Sequence, residues 1–156
     1  MVTKIGYKKI MVPFDSSKFS QNALEIAIEI SKKFSASLHL VTIIDISNVN
    51  PPGALLGSQK KTMKKSLDEI KSVVKYEFEK TLLEKTSVCK NAGIDSHYYI
   101  LEGAPSDIIL KLIKKYDIDL VVIGSHGLSG LNKIEALGSA SRRISESSNC
   151  PVLIIH

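Results

Sequence analysis

Three glycines close an apolar run near the C-terminus, Val121-Val122-Ile123-Gly124-Ser125-His126-Gly127-Leu128-Ser129-Gly130, and a Gly138-Ser139-Ala140-Ser141 segment follows them. Residues of these types in this order can bind an anion. Glycine lets backbone N–H groups approach a phosphate closely and permits positive φ at Gly124, Gly127 and Gly130. Gly138 and Ser139 then open a predicted helix, whose first-turn N–H groups lack intrahelical partners and whose dipole favours negative charge. The same glycines also suit a tight turn after a buried strand, and both readings remain open on these residues alone.

Other side chains with chemistry to offer lie near strand ends. Asp15 follows a short apolar run and has two available roles, capping the next helix, or serving a ligand by accepting hydrogen bonds from a ribose or helping to coordinate a metal beside phosphates. His126, between two glycines, can donate to phosphate or act as an acid or base, or simply be a loop histidine. Asp45 ends a second apolar run and is read chiefly as a turn residue. Arg142 and Arg143 lie within a turn of Ser139, where a surface ion pair competes with a phosphate contact.

The elements that must position these residues are legible from hydrophobic period. Lys9-Ile10-Met11-Val12-Pro13 reads as a strand that stops at Pro13, which also shapes the first turn. Ser16-Ser17 can cap a helix from Lys18, with Phe19, Ala23, Ala27, Ile30 and Phe34 on one stripe. Leu38 to Asp45 reads as a second strand covered on both faces. Residues 46–61 carry Pro51-Pro52, Gly53 and Gly57 without sustained period, and predict a lid or insertion.

From Thr62 to about Ala92 a helix is predicted with Met63, Leu67, Ile70, Val74, Phe78 and Leu82 on its apolar stripe and Gly93 at its end. Ile94 to Leu101 is the third strand. Pro105 opens a third helix and Asp119 to Ile123 forms the fourth strand. Ser139 to Ser148 is a short helix, and Val152-Leu153-Ile154-Ile155 is a fifth strand beginning after Pro151. This βαβαβαβαβ order predicts a single α/β domain over residues 1–156: an open, doubly wound, Rossmann-like five-stranded parallel sheet with right-handed crossovers. The strand order expected is 3-2-1-4-5, which makes strands one and four neighbours and places Pro13 to Ser17 beside Gly124 to Gly130 at the switch point where such sheets bind ligands.

A composition of 44% hydrophobic and 24% charged residues argues against a disordered or fibrous chain. The net charge of +5 is modest, and the lysines of residues 60–90 alternate with Glu69, Glu77, Glu79 and Glu84, as on a solvated helix face more than a nucleic-acid patch. Cys89 and Cys150, without CxxC or histidine company, predict reduced thiols rather than a zinc site or a disulfide scaffold. No signal-like segment or membrane-length apolar run is visible, so the expected setting is the cytoplasm.

Lys9-Ile10-Met11-Val12-Pro13-Phe14-Asp15, the Leu120 to Leu131 stretch, Leu137-Gly138-Ser139 and Cys150-Pro151-Val152-Leu153-Ile154-Ile155 together resemble the universal stress protein family. Members of that family with Gly, two residues, Gly, nine residues, Gly and Ser or Thr bind ATP. Here Gly124 and Gly127 match, but ten residues separate Gly127 from Gly138-Ser139. The resemblance implies that Asp15 contacts adenosine, that Ile43 offers backbone groups to adenine, and that Gly124 and Gly127 hold ribose and phosphate. It further implies that Gly138, Ser139, Ala140 and Ser141 cradle the outer phosphates, and that residues 152–155 form a homodimer contact.

The resulting expectation is a regulatory ATP-binding protein, with magnesium as a candidate companion and ADP or AMP as alternative ligands. Nucleotide binding would be coupled to conformation or to an unidentified protein partner. Without a Walker lysine, a convincing base or a metal cluster, hydrolysis would be slow at most. A nucleotide-independent interaction module of the same fold is the alternative.

Overall fold

The structure, a computed structural model, describes residues 6–45, 57–127 and 137–156. Its elements are β1 (Lys9–Pro13), α1 (Lys18–Phe34), β2 (Ser37–Ile44), α2 (Ser58–Asn91), β3 (Ser96–Glu102), α3 (Pro105–Tyr116), β4 (Leu120–Gly124), α4 (Ser139–Ser147) and β5 (Val152–Ile155). All strand pairs are parallel, in the order β3-β2-β1-β4-β5. The chain steps outward from β1 to β2 and β3, then returns to the other side of β1. The switch point therefore falls between β1 and β4.

Alternation along each strand divides the core in two. Ile10, Val12, Leu38, Leu40, Leu120 and Val122 face α1 and α2, where Ala23, Leu24, Ala27, Leu82 and Cys89 are buried with them. Met11, Val41, Val121 and Ile123 face the other way, onto Ile109, Leu112 and Ile113 of α3 and Ile144 of α4. Because both faces are covered, the central strands are continuous apolar runs, which is why β4 is buried along its whole length.

Local chemistry sets the element ends. The Ser17 hydroxyl accepts the Ser20 N–H at 3.1 Å and caps α1. Ser35 closes α1 in the left-handed region (φ 55°), and the following N–H of Ala36 bonds back to the Ser31 carbonyl. Pro105 occupies the start of α3, where a missing N–H costs nothing. The predicted start of the second helix at Thr62 is corrected to Ser58. Gln59, Lys60 and Lys61 are good helix formers, and Gly57, whose φ of 59° is not helical, stands at the helix start. Of the lid expected over residues 46–61, residues 46–56 lie outside the described residues.

Candidate functional site

Pro13 ends β1 opposite Val41, and the next residue extends the pairing by one bond, Phe14 N–H to the Val41 carbonyl at 2.8 Å. The buried Thr42 hydroxyl donates to the Phe14 carbonyl at 2.6 Å. These two bonds fix the direction in which the chain leaves the sheet. Asp15 then accepts the Ser17 N–H on Oδ1 at 3.0 Å, while its own N–H donates to the Ser20 hydroxyl at 3.3 Å. The turn holds Ser16 at φ 67°, a conformation costing a non-glycine residue on the order of 1 kcal/mol.

Across the switch point, β4 delivers Gly124 to Gly127 to the same edge. A Cβ on Gly127 would lie 2.9 Å from Asp15 Oδ2, so the carboxylate occupies the space a side chain would need. A Cβ on Gly124 would lie 2.7 Å from Phe19 Cβ and 2.8 Å from the Phe19 carbonyl carbon. Gly124 is therefore required by the packing of α1 on β4. Neither glycine has positive φ, contrary to the expectation from sequence; close approach is what selects glycine at both. Gly130 lies outside the described residues.

Ser125 is the joint of the site, and the sequence pattern alone gave no reason to single it out. Its N–H donates to the Ile155 carbonyl at 2.7 Å, which extends the β4–β5 pairing, and its carbonyl accepts the Gly138 N–H at 2.7 Å. The second bond returns the chain to the end of β4 whatever the length between Gly127 and Gly138. A Cβ on Gly138 would sit 3.3 Å from the Ser125 carbonyl oxygen and 3.5 Å from His126 Cα. The His126 ring stands 5.5 Å from the Phe19 ring, and its Nδ1 is 3.1 Å from the Ser125 hydroxyl.

Gly138 is the N-cap of α4, with extended backbone (φ −66°, ψ 159°) and no side-chain cap. The Arg142 N–H makes the helix's bond to the Gly138 carbonyl at 3.0 Å, so the N–H groups of Ser139, Ala140 and Ser141 belong to the turn before intrahelical bonding begins. Ser139 is exposed, whereas Ser141 is buried and donates its hydroxyl to the Gly124 carbonyl at 2.8 Å. The Ser141 hydroxyl thus anchors α4 to β4, and only its backbone remains to serve a phosphate. Arg143 pairs with Asp107 of α3 at 2.6 Å as a surface ion pair.

Ile43 lies on β2 beyond the last β1 residue, in register with Leu101 of β3. The Val41 carbonyl points at β1, and in-plane alternation directs the backbone groups of Ile43 to that same side, past Pro13. Pro13, Asp15, Ile43, Gly124, His126, Gly127 and Gly138 to Ser141 are thus brought to one edge of the sheet by three separate strands and one helix start. Among the described residues, no three or more His, Cys, Asp or Glu side chains gather as a metal site.

The sequence of residues 6–156 matches the universal stress protein family. Universal stress protein MJ0531 of Methanocaldococcus jannaschii is 32% identical over 149 residues, covering 96% of this chain and 82% of that protein. In fold, the chain is similar to MJ0577 of the same organism (TM-score 0.81, 24% identity, 97% of this chain and 96% of that one). It is also similar to a universal stress protein in complex with cAMP (TM-score 0.67, 24% identity, 97% and 98% covered). A universal stress protein from Archaeoglobus fulgidus in complex with dAMP superposes with a TM-score of 0.60 at 20% identity, over 97% of this chain and 100% of that one. With the β3-β2-β1-β4-β5 sheet in place and the match running almost end to end, the chain belongs to the universal stress protein family.

Proposed function

We propose that this protein binds an adenine nucleotide, ATP foremost, in the crevice between the C-terminal ends of β1 and β4, and acts through the bound state rather than through turnover. The observation that carries this reading is the meeting of Asp15, Gly127 and Gly138 around Ser125, where two glycines bring bare backbone against the Asp15 carboxylate and the Ser125 carbonyl beside a helix start with no side-chain cap. Such a surface offers backbone N–H groups and a helix dipole to an anion. The cAMP and dAMP complexes of two fold relatives support an adenine nucleotide as its occupant.

In this reading the Ile43 backbone meets the adenine edge and Asp15 accepts from the ribose. Gly124 and Gly127 admit the ribose and the first phosphate, and the Gly138 to Ser141 backbone with the Ser139 hydroxyl receives the outer phosphates. His126 flanks the phosphates from above Phe19. Magnesium, if it accompanies ATP, would be held chiefly by the phosphates, with Asp15 as the nearest carboxylate of the cradle. Binding would favour one conformation of the protein over another and so alter a partner contact.

The β5 edge, where Leu153 is exposed, is the proposed homodimer contact, since an unpaired apolar edge strand is otherwise open to uncontrolled pairing. No helix among the described residues is long and apolar enough to cross a membrane. A cytoplasmic setting is proposed on the free Cys89 and Cys150.

Titration calorimetry of nucleotide-stripped protein with ATP, ADP and AMP, with and without magnesium, tests the assignment. Saturable heat with ATP is expected. Absence of heat for all three, together with no nucleotide released from freshly purified protein on denaturation, would overturn it.

A further inference from the structure

Ser125 is 1% exposed, and its backbone is committed on both sides, the N–H to the Ile155 carbonyl and its own carbonyl to the Gly138 N–H, each at 2.7 Å. A residue held in this way cannot swing its side chain out to water. Its hydroxyl carries one proton to donate and lone pairs to accept. Among the described residues, the partner that the hydroxyl meets is Nδ1 of His126, at 3.1 Å.

That pairing assigns the proton on the ring. A buried hydroxyl whose proton has no acceptor is costly, and Nδ1 can receive that proton only as a lone pair. The Ser125 O–H therefore donates to Nδ1, and the neutral imidazole carries its own proton on Nε2. The opposite tautomer would aim Nδ1–H at the hydroxyl and leave the Ser125 proton without an acceptor. Turning the ring over would put a carbon where Nδ1 stands and strand the hydroxyl altogether. The Phe19 ring stands beside the imidazole, 5.5 Å away and tilted by 49°.

We propose that Ser125 is a positioning residue, whose hydroxyl fixes His126 as the Nε2–H tautomer so that the ring meets the nucleotide as a donor to an anionic phosphate oxygen. The inference rests on the nucleotide reading of this crevice and assigns a part to a side chain which that reading leaves unused. Nδ1 and Nε2 point to different sides of the ring, so the nitrogen turned away from Ser125 is the one that carries the proton. A lone pair in that place would repel a phosphate oxygen and suit a metal cation instead. Ser125 thus decides, without touching the ligand, the sign of the atom that His126 can hold.

Long-range nitrogen–proton correlation spectra of the ligand-free chain, at about pH 8.5 where an ordinary imidazole is neutral, read the tautomer directly. The His126 signals are identified by their loss in His126→Ala. Nε2–H alone is expected in the wild type, and a mixture of tautomers in Ser125→Ala. Nδ1–H in the wild type, or equal proportions in the two proteins, would overturn the proposal. Calorimetry reads the consequence: Ser125→Ala should weaken ATP binding on the order of fivefold and leave adenosine binding unchanged, since adenosine offers no phosphate. In a His126→Ala background the same substitution should cost ATP nothing further, because its route to the ligand is gone. An equal loss for adenosine, or full additivity of the two substitutions, would show Ser125 acting through the fold and overturn the proposal as well. Wild-type protein that takes up no ATP would sink the nucleotide reading instead, and the ligand-free spectra would still decide the tautomer.

Discussion

The Asp15 carboxylate fills the place where a side chain on Gly127 would begin, with Oδ2 2.9 Å from the Cβ position. The contact joins the turn after β1 to the turn after β4. Its neighbour Gly124 is constrained in a different way, by the backbone of Phe19 at 2.8 Å.

The two glycines should therefore fail differently. Gly124→Ala forces β4 and α1 apart, because a backbone cannot swing away, and is expected to cost about 1–3 kcal/mol of stability. At Gly127 the obstacle is a side-chain end that can rotate, so Gly127→Ala should leave the melting temperature nearly unchanged. Displacing Asp15 should nonetheless weaken ATP binding on the order of tenfold. Thermal melts and calorimetry on both variants separate the outcomes; a Gly124→Ala protein as stable as wild type would contradict the packing account.

Ser139 and Ser141, two residues apart, have been given opposite work. Ser141→Ala removes a buried hydrogen bond to the Gly124 carbonyl and should destabilise by about 1–2 kcal/mol. Ser139→Ala, at an exposed position, should leave stability within about 0.5 kcal/mol and weaken ATP binding roughly fivefold. Denaturant titrations beside calorimetry check both, and reversed effects would exchange the roles.

Ser16 holds a left-handed backbone between Asp15 and the Ser17 cap, with its carbonyl accepting from the Gln21 side-chain amide at 2.9 Å. Glycine removes the steric cost of that conformation. Ser16→Gly is expected to stabilise the protein by about 0.5–1 kcal/mol in urea unfolding. A destabilised variant would show that the Ser16 side chain contributes more than the strain costs.

At the opposite end of the sheet, the buried His39 ring lies 5.2 Å from the His97 ring and 6.0 Å from that of Tyr116. Its Nδ1 is 3.1 Å from the Tyr99 hydroxyl and its Nε2 3.2 Å from the Ser37 hydroxyl. Burial, then His97 and Lys9, hold the imidazole below its ordinary value, against a smaller opposing pull from Asp95. A base so lowered stabilises the fold while neutral. Its contribution is whole above the unfolded value near 6.5 and is lost as pH falls through the lower folded value. Urea stability should decline below pH 6.5, and His39→Gln should flatten that decline; equal slopes for the two proteins would refute the assignment.

The period of the apolar residues, Pro13, the Ser17 cap and Pro105 fixed most element ends in advance, because each acts on its own few residues through sterics or a local hydrogen bond. The strand order followed from a common arrangement of βαβ units, and the crevice beside β1 and β4 from that order. What sequence could not decide lay in contacts between distant residues. Gly124 and Gly127 are glycines because Phe19 and Asp15 press against them, not because of their own φ. The Ser141 hydroxyl turned from a phosphate candidate into an anchor because Gly124 presents a carbonyl to it. Gly138 reaches Ser125 in spite of the ten-residue spacing, since a hydrogen bond between segment ends is indifferent to the loop between them.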